Sequence, residues 1–425
     1  MADRYKTPGY MLDFQCLGGE CEDTCCHDWD ISVDMVRYER LAERMHRSED
    51  ERALFERAIV LSDSPSARRY ASIRLCADGR CPFLDSDDWC HIHRNHGEDV
   101  LAETCALFPR VLSRTYQAVE LTGALSCPEV ARRCLLNTGP EADAWHPFDA
   151  DTLPSGREHS LARQQSHLAY EQPMERVRDR FLALIPPSGE GVESGLMRAA
   201  WLAARLAPHY HAGCTEPEEE LDRALDSPEQ PEHIATLQRR LAEAGRGDEA
   251  PSAILMIQAV LGLRLNRFPE EPLSRSVAEV YADLQRLGVP PGEAGFDPGV
   301  LVQVYRERRA RVRAGLGRFL DGVLARWFRN TLQREWFTTM PDPFVYFQML
   351  LIRMACLRFV LHIDPAMLAA ARAGDTEAAG ALAVQWTYRF ARSVDHNLSF
   401  LEAIYHAAGE QGLLKLEATP GLIRP

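Results

Sequence analysis

The sequence has almost no lysine. Lys6 and Lys415 are the only two, so 46 of the 48 basic residues are arginine. A protein that handles lysine chemically would benefit from having few lysines of its own, but a GC-rich genome that favours arginine codons produces the same bias. Positive charge is also scarce overall, and the formal net charge is −14. This balance argues against a general nucleic-acid binder, which would carry a basic surface.

Long apolar runs and a leader are lacking too. The first fifteen residues contain no apolar core of a signal peptide, so we expect a cytoplasmic protein with reduced thiols. The most apolar stretch, 344–363, contains Gln348, Arg353, Arg358 and His362. Each of these side chains is costly at the centre of a bilayer, which favours a buried or amphipathic helix over a membrane span.

What the chain does contain is unevenly distributed. Its 425 residues are 46% hydrophobic and 26% charged, as in folded proteins of two or three domains. Ten of the twelve cysteines lie between Cys16 and Cys134, and residues 1–150 contribute −10 of the net charge. We therefore predict a cysteine-rich metal or iron–sulfur module at 1–137, a linker at 138–160 that is rich in Pro, Gly, Asp and Ser, and a helical domain at 161–425.

Periodicity predicts a mainly α fold, with a small metal-organised N-terminal module of short helices, short strands and loops docked on a larger helical domain. Apolar residues recur at helical spacing at 197–206, 254–265, 277–287, 300–313, 316–337, 344–363, 377–394 and 398–408. In the first third we predict helices at 34–45, with Asp34 as N-cap, and at 49–60. Short strands are predicted at 71–75 and 116–125, and a loop at 215–231.

The cysteines form two dense groups. The first is Cys16-x4-Cys21-x3-Cys25-Cys26, beside Gly18 and Gly19, which let the backbone fold closely around an ion. The second is Cys76-x4-Cys81-x8-Cys90-x14-Cys105, and Cys127 and Cys134 follow. No lysine or arginine lies between Pro8 and Val36, where seven residues are acidic. Neighbouring negative charge disfavours free thiolates, and a bound cation removes that conflict. Buried structural cysteines without metal, or disulfides, are the alternatives.

The cysteine pattern indicates the identity of the metal less clearly than it indicates metal binding. Zinc sites prefer paired cysteines at short spacing, and Cys16/Cys21 and Cys76/Cys81 fit that pattern. The vicinal Cys25-Cys26 pair is unusual for tetrahedral zinc, and an all-thiolate iron–sulfur cluster tolerates irregular spacing better. The nearby histidines could complete a zinc site or be ordinary loop residues; they are His27, His91, His93 and His96.

The ordered motifs FxCxGxxCxDxCCxxWxI, CPFL…CxI, TCxxFPR and LSCPE resemble the flagellin lysine-N-methylase family, part of the wider cysteine-rich CxxCxxCC metal-binding group. The matching residues are Phe14, Cys16, Gly18, Cys21, Asp23, Cys25, Cys26, Trp29, Ile31, Cys81, Pro82, Phe83, Leu84, Cys90, Ile92, Thr104, Cys105, Phe108, Pro109, Arg110, Ser126, Cys127, Pro128 and Glu129. The similarity is strong over about residues 10–135. It is weaker at WFRN (327–330) and RSVDHNLSFL (392–401).

The resemblance implies methyl transfer from S-adenosylmethionine to lysine ε-amines of flagellin, with a cysteine-bound iron–sulfur cluster of the 4Fe-4S type, and zinc as the alternative metal. Eight cysteines fall on the family pattern and are the implied metal ligands: Cys16, Cys21, Cys25, Cys26, Cys81, Cys90, Cys105 and Cys127. One cubane needs four thiolates, so either some of the eight are structural or there is more than one centre.

The catalytic residues and the cofactor site are not apparent in the sequence. It contains no glycine-rich strand–turn–helix fingerprint for S-adenosylmethionine. Asp28, Asp30, Tyr346 and Asp395 are of the right type to orient an amine and accept its proton, but none stands out. We expect no nucleic-acid partner and no membrane span. The alternative is a non-enzymatic zinc- or iron-binding protein whose helical domain binds a protein partner.

Overall fold

The computed structural model describes residues 5–27, 30–115, 117–139, 141–149, 153, 168–211, 218–243, 249–292, 295–335, 340–395 and 397–424. The chain divides into two compact units. The N-terminal unit comprises Met1–Val130 and Ala144–Leu161, and the helical unit comprises Ala131–Asp143 and Ala162–Pro425. Part of the segment predicted as a linker, Trp145–Pro147, is a strand of the N-terminal unit, and most of 150–160 lies outside the described residues.

Seven short strands form two sheets in the N-terminal unit. They are β1 (Tyr5–Pro8), β2 (Ser32–Val33), β3 (Ile59–Leu61), β4 (Ala71–Ile73), β5 (Arg110–Arg114), β6 (Val119–Gly123) and β7 (Trp145–Pro147). One sheet has the order β5-β6-β1-β7 and the other β2-β4-β3. In the first sheet β1 runs parallel to β6, with Tyr5 opposite Val119, and the other neighbours are antiparallel. Both predicted strands, at 71–75 and 116–125, are confirmed as β4 and β6.

The helices of this unit are short and carry clear start signals. They are α1 (Met35–Met45), α2 (Glu49–Ala58), α3 (His91–His96) and α4 (Glu103–Leu107), followed by α5 (Pro128–Leu136), which continues into the helical unit. Asp34 caps α1 as predicted, because its carboxylate accepts a hydrogen bond from the Arg37 backbone N–H at 3.1 Å. Helices α1 and α2 contribute Leu41, Met45 and Phe55 to the buried core of the unit.

The segments predicted from periodicity fall on seven helices of the helical unit, and five further helices were not predicted. Twelve helices are described in this unit. They are α6 (Leu168–Leu184), α7 (Val192–His211), α8 (Glu218–Asp226), α9 (Pro231–Glu243), α10 (Glu249–Arg267), α11 (Pro272–Arg286), α12 (Pro298–Arg334), α13 (Pro343–Ile363), α14 (Pro365–Ala373), α15 (Thr376–Phe390), α16 (Leu398–Glu410) and α17 (Thr419–Ile423). A two-stranded hairpin, β8 (Pro291–Gly292) with β9 (Gly295–Phe296), precedes α12. Parallel pairing among the described strands occurs between β1 and β6 of the N-terminal unit, and the helical unit consists mainly of helices. The mainly α fold class is therefore confirmed.

Two local expectations in this unit were wrong. The segments 300–313 and 316–337 were predicted as two helices, but α12 is continuous across residues 314 and 315 and ends at Arg334, and residues 336–337 lie outside the described residues. Gly315 does not break the helix there; it allows close packing, since a Cβ at this position would lie 2.1 Å from the Ala371 carbonyl oxygen of α14. The loop predicted at 215–231 contains α8, because Ala224 and Leu225 bury an apolar face despite the flanking prolines.

Helix α13 is long and apolar enough to cross a membrane, and 89% of its most apolar 18-residue window is buried inside the protein. Its polar side chains find partners within the helical unit. Gln348 donates to the Thr419 hydroxyl at 2.9 Å, and Arg358 donates to the Ile423 carbonyl oxygen. Arg353 binds Asp395 at 3.2 Å, and His362 Nδ1 lies 2.7 Å from the Arg358 carbonyl oxygen. These contacts place α13 as a core helix, as the sequence predicts.

Candidate metal centre

A cavity of about 360 Å³ in the N-terminal unit is lined by all eight cysteines that fall on the family pattern. These residues, Cys16, Cys21, Cys25, Cys26, Cys81, Cys90, Cys105 and Cys127, are named the cavity cysteines below. They come from three separate parts of the chain, and the structure brings them around one space. The described cysteines are thiols rather than disulfides.

Backbone hydrogen bonds hold the cysteine segments together. The Cys81 N–H donates to the Cys26 carbonyl oxygen at 3.0 Å, which joins the first group to the second. An isolated bridge pairs Leu84 with Cys90, and Cys90 is the N-cap residue of α3. Cys105 lies in α4, and Cys127 follows β6 in a turn that its N–H closes onto the Ala124 carbonyl oxygen at 3.1 Å. The cysteines thus lie at the ends of short elements, where the backbone is fixed.

The Gly18-Gly19 pair lies under an aromatic side chain. A Cβ on Gly18 would lie 2.4 Å from the Trp89 indole, and one on Gly19 would lie 2.4 Å from the Asp87 carbonyl oxygen. Gly18 also has a positive φ of 56°, a conformation that glycine adopts readily. Glycine is therefore needed at both positions. The sequence pointed to the glycines but not to Trp89, because no local signal links residues so far apart.

Six of the eight cavity thiols have a raised pKa and are therefore poor acids without a bound cation. Burial raises the pKa of Cys81 to about 11 and that of Cys127 to about 12. Burial also raises the pKa of Cys21, Cys90 and Cys105, and the charges of neighbouring thiols raise it further. A hydrogen bond to Cys25, together with burial, raises the pKa of Cys26. This number of buried thiols can be deprotonated together only if a cation compensates their charge. The raised pKa values therefore fit a thiolate-bound metal.

The sulfur atoms surround the cavity rather than meeting at one point. Among the described Cys, His, Asp and Glu residues, one group of three has all its ligand atoms within 4.8 Å of one another, and it contains no cysteine. The ligand sulfurs of a single tetrahedral ion would lie within about 4 Å of one another. The described cysteines form no group of three that close. The donor set remains all-thiolate, and its spread leaves room for more than one metal atom.

Charge around the cavity is mainly negative. Asp23, Asp88, Glu98 and Glu129 line it, and Arg110 is the single lysine or arginine among the described lining residues. The Arg110 guanidinium lies 5.5 Å from the centre of the Phe14 ring, a cation–π distance. The FPR motif thus places one positive charge at the cavity, where an anionic metal–thiolate centre would attract it.

Of the remaining candidate ligands, one lines the cavity and the other described ones lie elsewhere. His93 lines the cavity, whereas His27, His91 and His96 do not. Cys76 is exposed, Cys134 and Cys356 are buried in the helical unit, and Cys214 lies outside the described residues.

The four candidate proton acceptors do not form one site. Asp28 lies outside the described residues, as does the family-pattern residue Trp29, and Asp30 is exposed. Asp395 and Tyr346 are buried in the helical unit, where Asp395 is paired with Arg353. Asp395 is thus engaged in an ion pair, and of the described carboxylates in this group neither Asp30 nor Asp395 lines the cysteine cavity.

Comparison with known proteins agrees with this picture. Residues 15–127 match the CxxCxxCC family, described as a "putative zinc- or iron-chelating domain". The chain is 28% identical to the flagellar biosynthetic protein FliU of Salmonella muenchen over 166 residues, which are 39% of this chain and 89% of that protein. It is 30% identical over 129 residues to the lysine-N-methylase of Salmonella typhimurium and 31% identical over 131 residues to that of Salmonella choleraesuis.

The coverage limits what these matches show. Each match to a lysine-N-methylase spans 30% of this chain and 31% of the relative. No solved structure matches the chain. Residues 15–127, whose cavity cysteines surround one space, therefore match the CxxCxxCC domain, and over part of its length the chain is similar to proteins named lysine-N-methylase.

Proposed function

We propose that this protein is a lysine N-methyltransferase that transfers methyl groups from S-adenosylmethionine to lysine ε-amines of flagellin, and that the cavity cysteines hold an iron–sulfur cluster of the 4Fe-4S type. The observation that carries the proposal is the convergence of eight cysteines on one cavity. This cavity lies in a chain whose relatives are named lysine-N-methylase and flagellar biosynthetic protein. We place the reaction in the cytoplasm, where thiols remain reduced.

The spread of the sulfurs supports a cluster over a single zinc ion. Ligands of one tetrahedral ion converge on one point, whereas the outer thiolates of an iron–sulfur cluster bind different iron atoms and stand farther apart. When bound, the cluster would supply cationic charge that keeps the buried thiols deprotonated. Arg110, which lines the cavity, would offset the net negative charge of the thiolate centre.

The chain's acidic residues suit a lysine-bearing substrate. Carboxylates lining the cavity would attract a cationic segment by electrostatics that salt screens. In the reaction the amine nitrogen forms a bond to the methyl carbon, the carbon–sulfur bond of the sulfonium breaks, and S-adenosylhomocysteine leaves. The nitrogen loses one proton to a base or to water. The base and the S-adenosylmethionine site remain unassigned.

The test is a methylation assay with anaerobically purified protein, flagellin and S-adenosylmethionine. We expect methyl groups on flagellin lysines by peptide mass spectrometry, and none when flagellin lysines are first acetylated. A protein that holds its full metal content and methylates no flagellin lysine would contradict the proposal. That outcome would favour the second candidate function, a zinc- or iron-binding protein without enzymatic activity. The description of the matching domain as zinc- or iron-chelating also fits this candidate.

A further inference from the structure

A second group of metal-ligand side chains lies in the N-terminal unit, away from the cavity cysteines. Glu51 Oε1 lies 2.8 Å from His91 Nε2 and 3.0 Å from His96 Nε2. These three ligand atoms all lie within 4.8 Å of one another. The residues come from α2 and α3, about forty positions apart in sequence, so only the fold brings them together.

We propose that Glu51, His91 and His96 form a separate binding site for a divalent cation of the zinc class. Two imidazole nitrogens and one carboxylate oxygen are the ligand set of several zinc sites that keep a fourth position open. Ligand atoms on tetrahedral zinc at about 2.1 Å lie about 3.4 Å apart, so the Glu51 oxygen and each imidazole nitrogen need to separate by only about 0.5 Å. This proposal is independent of the proposed methylation.

The surroundings of the three side chains fit a site that is partly shielded from water. The exposed fractions are 28% for His91, 21% for Glu51 and 11% for His96. Burial tends to raise the pKa of Glu51, but its contacts with the two imidazoles lower the pKa below its usual value. Its carboxylate is thus held in the charged form that binds a cation.

Neighbouring groups orient the His91 ring and anchor the backbone at His96. The side-chain amide of Asn95 lies 3.0 Å from His91 Nδ1. A carboxamide can present its oxygen at that point by rotation, and it then accepts the Nδ1 proton and leaves Nε2 free to bind the cation. Arg44 donates to the His96 carbonyl oxygen and binds Asp99 at 2.6 Å, which anchors the end of α3. The bound ion would join α2 to α3.

The site is distinct from the cysteine cavity although α3 contributes to both. Cys90 and His93 line the cavity, whereas Glu51, His91 and His96 are not among its lining residues. Substitution of Glu51 is therefore expected to leave the sulfur ligands in place, so the two sites can be tested separately.

The first experiment compares zinc, iron and acid-labile sulfide in wild type, Glu51→Gln and Glu56→Gln. Glu56 is exposed on the same helix and serves as the matched control. After loading with Zn²⁺ alone and dialysis, we expect Glu51→Gln to hold one zinc fewer per chain, with an affinity lowered by about 100-fold or more. Its iron and sulfide should equal those of wild type. Equal zinc content and affinity in all three proteins would overturn the site.

The second experiment needs no variant and therefore does not depend on how well Glu51→Gln folds. Zinc-edge X-ray absorption of the zinc-loaded wild type should show nitrogen or oxygen neighbours at about 2.0–2.1 Å. A signal from sulfur neighbours alone, at about 2.3 Å, would place all bound zinc at the cysteines and overturn the proposal. Absence of bound zinc would mean that the three side chains are only a hydrogen-bonded cluster, which also overturns it.

Discussion

The two units are stabilised in different ways. In the described part of the N-terminal unit the strands have at most five residues, and its longest helix, α1, has eleven. The helical unit has α12, with 37 residues, and α13, with nineteen of its 21 residues buried. One unit surrounds a cavity lined by thiols, and the other surrounds a continuous apolar core.

The difference shows where a bound metal contributes to folding. The apolar core of the N-terminal unit packs directly against Cys26, Cys90 and Cys105, and it includes Cys81 itself. A metal that ties these sulfurs together would therefore stabilise the core, because metal-binding free energy becomes folding free energy in small metal-organised domains. The helical unit has no such requirement, since its large side chains are buried against one another.

Removal of metal should have the largest effect. After anaerobic chelation we expect peptides of the N-terminal unit, such as residues 76–110, to lose protection in hydrogen-exchange mass spectrometry. Peptides of α13 should keep their protection. Equal loss in the two units, or no loss in either, would contradict the comparison.

A matched pair of core substitutions tests the same difference. Phe359 is fully buried in α13 and stacks on Tyr305 with ring centres 5.3 Å apart, whereas Phe83 is buried in the N-terminal unit and lines the cysteine cavity. Each change to alanine should cost about 3–5 kcal/mol of unfolding free energy. Phe83→Ala should also reduce metal content, and Phe359→Ala should not. Metal analysis alongside chemical denaturation would check this, and equal metal content in both variants would count against it.

Glycine positions provide a smaller contrast. Gly18→Ala should destabilise the N-terminal unit by about 1–3 kcal/mol and weaken metal binding, because the new methyl group would overlap the Trp89 indole. Gly191 in the helical unit also has a positive φ, of 62°, but a Cβ there would meet no atom within 4 Å. Gly191→Ala should therefore cost only backbone strain, about 1 kcal/mol, without change in metal. Thermal unfolding and metal analysis of both variants would separate the two effects.

The last predicted effect is a pH dependence that His362 gives to the stability of the helical unit. Burial lowers the pKa of His362 to about 3, so the folded protein keeps this imidazole neutral. In the unfolded chain it binds a proton below its ordinary pKa of about 6.5. Stability is therefore fully present above about pH 6.5 and declines as pH falls toward 3. His362→Gln should flatten this decline in denaturation curves of metal-free protein; an unchanged slope would contradict the assignment.

Much of the helical unit was predictable because its signals are local. Repeated apolar spacing and acidic N-caps before proline, as at Asp297 and Asp342, mark where helices begin. The failure at Gly315 has a tertiary cause, since the glycine serves packing against α14 rather than a turn. The helix at 218–226 was missed because flanking prolines and glutamates resemble a loop in composition.

The eight cavity cysteines were predictable as a set from ordered motifs, but their arrangement was not. Sequence spacing does not reveal that the sulfurs spread around a cavity of about 360 Å³. It also could not pair Glu51 with His91 and His96, or Trp89 with Gly18, because contacts between distant segments leave no trace in local composition.

The central claim is that the cavity cysteines hold the metal and the other cysteines do not. The most direct measurement is iron, zinc and acid-labile sulfide per chain in anaerobically purified wild type, Cys25→Ser and Cys356→Ser. Cys25 lines the cavity, and Cys356 is buried in α13. We predict that Cys25→Ser loses the metal, because a serine hydroxyl stays protonated and is a poor ligand. Cys356→Ser should keep it at a cost of about 1–3 kcal/mol in stability. Equal metal loss in both variants, or none in either, would contradict the assignment.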